Sequence, residues 1–177
     1  MPYYRKGSEM IHKTKQNFWL DVTIFVAFVL SVTTGVLLWW GIPHEPGIAF
    51  LGFPRSVWVT FHVCSGLMSF TGVITHVAWH WDWLKAMRGR PLNGLSEKLR
   101  LNRIVDRILW ITFIAANVSG LLAWAMHFGD DIYSVTVPDR LHVMLGIAVT
   151  CLLTVHLELH WKWIYKRFAF VGAQRGV

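Results

Sequence analysis

Residues 62–83 read HVCSGLMSFTGVITHVAWHWDW, and residues 142–163 read HVMLGIAVTCLLTVHLELHWKW. Each stretch is apolar yet carries three histidines: His62, His76 and His80 in the first, His142, His156 and His160 in the second. In both, a glycine stands four residues after the first histidine (Gly66, Gly146), and a Trp-x-Trp closes the string (Trp81 and Trp83, Trp161 and Trp163). Further upstream, Asn17, Asp21, Gly35 and Trp39 recur as Asn102, Asp106, Gly120 and Trp124. So many uncommon residue types in register are hard to obtain by chance. Each repeat therefore reads as one apolar segment followed by a second that bears the histidines.

Four apolar segments result, at residues 18–40, 56–81, 104–127 and 141–163. Each exceeds the ~20 residues that cross a hydrocarbon core of about 30 Å. The predicted fold is an all-α membrane protein. It is a four-transmembrane-helix bundle built from two tandem two-helix repeats, about 17–83 and 102–163. Residues 1–17 form an N-terminal segment, 18–166 the transmembrane domain and 167–177 a tail. Because each repeat is a helix pair, the second and fourth spans are expected to run parallel, at the same depth.

Composition agrees. Hydrophobic residues make up 54% of the 177 and charged residues 15%, against roughly 25% charged in soluble domains. Two cysteines exclude a disulfide scaffold, a four-cysteine zinc site and a thiolate-held iron–sulfur cluster. Cys64 and Cys151 do not correspond between the repeats and are not expected to pair. The absence of C-x-x-C-H excludes covalent haem attachment. The net charge of +7 is a topology signal rather than a nucleic-acid one. Of the 17 basic residues, all but Arg55 and Arg140 fall before span one, between spans two and three or at the start of span three, or at or beyond the end of span four. The positive-inside bias then places both termini and the middle loop in the cytoplasm. The first 17 residues are polar and no A-x-A site follows, so span one is expected to be retained, not cleaved as a signal peptide. Trp39, Trp40, Trp58, Trp79, Trp81, Trp83, Trp161 and Trp163 cluster at span ends, as interfacial belts do.

Histidine inside a membrane is costly and points to function. The 14 residues from His62 to His76 turn the helix through four turns less roughly 40°, so both rings share a face about 21 Å apart along the axis. His142 and His156 repeat the arrangement. Parallel spans bring His62 level with His142 and His76 level with His156, giving one cross-helix imidazole pair near each side of the bilayer. A b-type haem takes one axial imidazole from each side of its plane. Gly66, Gly146, Gly35 and Gly120 either clear space for such a flat ring or let helices pack closely. His80 and His160 sit one turn beyond the inner pair. They contact haem propionates or a quinone head group, or anchor at the interface, or themselves replace His76 and His156 as inner ligands. Asp21 and Asp106 read either as charges at a helix N-terminus after an Asn cap or as proton acceptors near His80 and His160. Arg55 and Arg140, each close before an outer histidine, are either propionate partners or interface anchors. Glu158 has Ala78 as its counterpart and lies on another face, which suits partner contact. His12, His44 and His127 read as plain interfacial residues.

The His-x13-His pairs on two of four helices resemble the di-haem core of cytochrome b. The full string, with His-x3-His-Trp closing each repeat, is most similar to the bacterial four-helix membrane cytochromes associated with extracytoplasmic flavinylation. The resemblance spans residues 17 to about 166. It implies two haem b groups, the outer held by His62 and His142 and the inner by His76 and His156. It also implies a multi-pass place in the bacterial inner membrane. The function expected is electron transfer between a membrane quinone pool and an extracytoplasmic redox subunit: a dehydrogenase, multihaem cytochrome or flavoprotein. No Ser-His-Asp set, P-loop or dinucleotide motif is present, so the chain is expected to serve as an electron-transfer subunit without catalytic machinery of its own. A rival reading gathers His76, His80, His156 and His160 around zinc or copper. A third makes the histidines purely structural. A di-iron carboxylate bundle lacks its Glu-x-x-His motifs.

Overall fold

The computed structural model describes residues 2–42, 49–89, 91–127 and 135–173. Side chains are described within these ranges from residue 15 to 166, apart from 83, 88 and 92. The chain is mostly helical. Helix α1 spans Pro2–Val36 and runs into a π-helical turn, Leu37–Gly41. A two-stranded ribbon follows, β1 (Ala49–Phe50) against β2 (Phe53–Pro54). Then come α2 (Arg55–Trp79), the short α3 (Trp81–Arg88), a 3-10 turn at Leu92–Gly94, α4 (Glu97–Met126) and α5 (Val137–Ala173). Four helices are long and apolar enough to span a membrane: Lys15–Gly41, Arg55–Trp79, Glu97–Met126 and Val137–Lys166. The shortest has 25 residues, about 37 Å of helix against a core of about 30 Å.

Helix is the outcome because lipid offers backbone groups no alternative partner. The prolines respect this, since Pro54 immediately precedes α2 and Pro138 lies in the first turn of α5, where a missing N–H costs nothing. Hydroxyls within the spans are satisfied in the same way. Thr23, Thr60, Thr71, Thr75, Thr112 and Thr154 each donate to the carbonyl four residues back. The expected boundaries shift outward. The polar first 17 residues are helical from Pro2 and continuous with span one, and α5 continues past 163 to Ala173.

α1 packs along α2 and α4 along α5, while α1 also touches α5 and α2 touches α4. The ring order is therefore α1, α2, α4, α5, with the histidine-bearing helices α2 and α5 on a diagonal. The hairpins meet at a small core. Phe113, Ala116 and Val149 are buried there, with Phe28, Phe70, Val73, Leu109 and Leu145 against them. The Phe70 and Phe113 rings stack at 6.1 Å.

Each hairpin is tied differently at its connecting end. In the first, Leu51 and Gly52 both have positive φ (51° and 80°), the pair of angles a two-residue ribbon turn requires. Trp58 Nε1 donates to the Phe50 carbonyl at 3.2 Å, and the Trp58 ring meets those of Phe50 and Phe53 edge-on. In the second, the Asp139 carboxylate accepts from the Thr136 N–H (2.7 Å) and hydroxyl (2.6 Å), and the Asp139 N–H donates to Thr136 Oγ1 (3.4 Å). That is a reciprocal cap on α5. His127 Nε2 lies 2.9 Å from the same carboxylate, joining the end of α4 to the start of α5. His127 is thus a structural tie between α4 and α5.

Candidate functional site

His62 occupies the second turn of α2 and His142 the second turn of α5. Their Nε2 atoms face each other across the bundle at 3.5 Å, with ring centroids 5.7 Å apart. His62 Nδ1 lies 2.9 Å from the Ser31 carbonyl oxygen of α1, and Thr34 Oγ1 is 3.3 Å from the same nitrogen. His142 Nδ1 lies 2.8 Å from the Ala116 carbonyl oxygen of α4.

A carbonyl can only accept, so each Nδ1 carries the hydrogen and donates it. The neutral ring then has a bare lone pair at Nε2. Two lone pairs pointed at each other cannot form a hydrogen bond. They call for a shared proton or a cation between them. A first-row metal ion sits about 2 Å from each imidazole nitrogen, so two such bonds in line need about 4 Å, close to the observed separation. A shared proton or a bis-imidazole metal would each satisfy this donor pair, the metal with the nitrogens about 0.5 Å further apart.

The glycines divide into two kinds. A Cβ on Gly35 would lie 2.9 Å from His62 Cε1, and one on Gly120 would lie 2.7 Å from His142 Cε1. These two seat the imidazole rings against the helix backbone, a more local role than clearing a macrocycle. A Cβ on Gly66 would meet Ser31 Oγ at 3.4 Å, and one on Gly146 would meet nothing within 4 Å. Gly66 is thus packed against α1, whereas close helix packing does not explain Gly146.

At the other end, His76 Nδ1 is 2.7 Å from Asp21 Oδ1 and His156 Nδ1 is 2.8 Å from Asp106 Oδ1. Both pairs are half-buried and each bridges the two helices of its own hairpin. The reading of these aspartates as charges at a helix N-terminus is overturned. α1 begins at Pro2 and α4 at Glu97, so Asp21 and Asp106 lie well inside helices, and Asn17 and Asn102 cap nothing. Each aspartate meets the inner histidine directly. A carboxylate on Nδ1 fixes the tautomer and leaves Nε2 free as a ligand, the usual second partner of a metal-bound histidine. Each carboxylate thus orients one ring, Asp21 that of His76 and Asp106 that of His156.

His80 ends α2, its N–H donating to the His76 carbonyl at 3.1 Å. The His80 ring is 4.8 Å from that of His76, and the His160 ring 4.6 Å from that of His156. Asp106, His156 and His160 offer ligand atoms within 4.8 Å of one another, a group able to hold a metal ion. Arg55 donates from Nη1 to the carbonyls of Leu38 (3.1 Å) and Ile42 (2.9 Å), closing the exposed end of span one. Arg140 is exposed on the first turn of α5, Glu158 is exposed further along it, and both cysteines are free and exposed. His44 lies outside the described residues, and the side chains of His12 and Trp83 lie outside the described side chains.

Sequence reasoning missed both aspartate–histidine pairs. The usable signal was a charge inside an apolar span, which must find a partner at its own depth. No protein-family model, curated protein or solved structure matches the chain.

Proposed function

We propose that this multi-pass membrane protein is a di-haem cytochrome b subunit of two tandem repeats, both termini cytoplasmic, in a bacterial inner membrane. It carries electrons between a membrane quinone pool and an extracytoplasmic redox subunit. The observation that carries the reading is the outer histidine couple: two Nε2 lone pairs 3.5 Å apart, with both Nδ1 hydrogens committed to main-chain carbonyls. His62 and His142 would hold one haem near the outer face, and His76 and His156 a second near the cytoplasmic face. Bound there, haem supplies reversible one-electron chemistry. The chain's own residues orient the ligands. Gly35 and Gly120 admit the outer rings, and Asp21 and Asp106 fix the inner ones. His80 and His160 are placed for propionate or quinone contact at the cytoplasmic edge, and Arg55 and Arg140 stand at the outer edge.

The test is a haem count on protein purified in detergent. Two haem b per chain are expected. His142→Ala should retain one, with a reducible spectrum. A colourless preparation that still works with its native partner would end the reading. A second reading has one specific observation behind it, the Asp106, His156 and His160 group. It predicts stoichiometric zinc or copper and no Soret band, which elemental analysis of the same preparation decides.

A further inference from the structure

The end of the bundle that carries His80 and His160 is built from α3, the start of α4 and the end of α5. α2 stops at His80, where the backbone departs from helical angles, and α3 begins one residue later. α3 has two faces. Leu84 and Met87 lie on one side and are half-buried, whereas Trp81 and Lys85, one turn apart, share the other and are exposed. Arg103 of α4 donates to the Met87 carbonyl and so holds the end of α3 against α4. Lys85 Nζ stands 5.8 Å from the centre of the Trp81 ring and 3.6 Å from Asp82 Oδ1, an ion pair so exposed that it contributes little.

The neighbouring helices bring more cations to this level. Lys98 and Arg100 are exposed at the start of α4, and Lys162 and Lys166, one turn apart, are exposed on α5. The charge of Lys98 acts on His160, so the two stretches are close. Among the described residues, the exposed acids beside them are Asp82 and Glu97. Deeper in the spans, exposed Arg107 and Glu158 are opposite in sign. Trp81 of α3 and Trp161, Trp163 and Tyr165 of α5 are exposed among these cations. At the opposite end Arg55 is committed to two carbonyls, and Arg140 is the exposed cation among the described residues.

We propose that the end carrying His80 and His160 binds anionic phospholipid head groups. α3 lies in the plane of the membrane surface, and the cations of α3, α4 and α5 meet lipid phosphates. The proposal is independent of the di-haem reading. Two observations select lipid over another polyanion. The cations of α4 and α5 stand at the ends of membrane-spanning helices, where Lys and Arg lay their stems along apolar surface and extend their charges to the head groups. The exposed rings among them are of the type that settles at head-group level. A basic segment beside a span gains about fivefold in affinity for an anionic leaflet per cation.

The experiment is a titration of the full-length protein, in an uncharged detergent, with fluorescent phosphatidylglycerol and with fluorescent phosphatidylcholine. Phosphatidylglycerol should bind more tightly, and added salt should remove the difference. Lys85→Gln, Lys98→Gln, Arg100→Gln, Lys162→Gln and Lys166→Gln should each weaken phosphatidylglycerol binding about fivefold and leave phosphatidylcholine binding unchanged. Arg140→Gln, at the opposite end, should change neither. Equal affinity for the two lipids overturns the proposal, as does a loss from Arg140→Gln as large as that from Lys98→Gln. Inorganic phosphate should compete no better than chloride at the same ionic strength; if it does, the site reads free phosphate and the lipid is the wrong ligand. A short RNA that binds more tightly than phosphatidylglycerol overturns the proposal too. Should a variant fail to fold, the lipid comparison and the salt series on the parent protein decide.

Discussion

The two ends of this bundle each carry one histidine from α2 and one from α5, His62 and His142 at the end expected to face outward and His76 and His156 at the other, but they secure them by opposite means. The outer rings are fixed by main-chain carbonyls and by glycines that yield space. The inner rings are fixed by aspartates. Main-chain anchoring cannot be mutated away except by changing the backbone around it, and it brings no charge. Side-chain anchoring is open to substitution, and it brings charge into the membrane where its effect is large. One face is thus set by shape and the other by electrostatics.

On the proposed di-haem reading, substitutions can break that contrast. The largest effect is expected from Gly120→Val. Its Cβ would sit 2.7 Å from His142 Cε1 and 2.8 Å from Nδ1, and overpacking of this kind costs about 1–3 kcal/mol. The outer haem should be lost while the inner spectrum persists, as a haem count and a reduced-minus-oxidised spectrum would record. Retention of both haems would mean that the outer ring is not seated where it is found. Next comes Asp106→Ala, which removes the acceptor on His156. Loss of such a partner weakens metal-site affinity about 10–100-fold, so the inner haem should wash out at lower detergent exposure while the outer one stays. Equal loss at both sites would erase the distinction between the ends.

Asp139→Ala probes the outer tie of the second hairpin, which does not involve the ligand pairs. Losing this cap costs about 1 kcal/mol, a melting shift of about 2–4 °C downward for a chain of this size, with the haem spectrum unchanged. The smallest effect is expected from Ser31→Ala. The acceptor for His62 is the main-chain carbonyl, so haem content and the outer potential should match those of the parent. A clear shift of the outer wave alone would show that the hydroxyl, not the carbonyl, tunes that site.

How much was legible in advance follows from what kind of interaction is involved. The four spans could be read because lipid enforces helix on any run long and apolar enough. The His62 and His76 register could be read because helical rotation is fixed per residue. The helix starts could not. Asn17 followed by an apolar run looks like a cap, but nothing in the preceding polar residues stops the helix, and α1 extends back to Pro2. From that one error came the reading of Asp21, and by the same pattern Asp106, as a helix N-terminal charge.

The glycines show the same limit. Their coincidence with the histidine register was visible, yet their two separate uses depend on which side chain arrives from the neighbouring helix. Gly35 and Gly120 meet imidazoles, whereas Gly146 meets nothing.

The sequence by itself determined the number of membrane-spanning helices and which faces of α2 and α5 carry histidine, because both depend only on local periodicity and transfer into lipid. Only the tertiary structure decided that α2 and α5 lie on a diagonal, that the outer nitrogens confront each other, and that Asp21 and Asp106 grip the inner rings. Those facts depend on how one helix is rotated against another, a property of packing between residues tens of positions apart that no local pattern encodes.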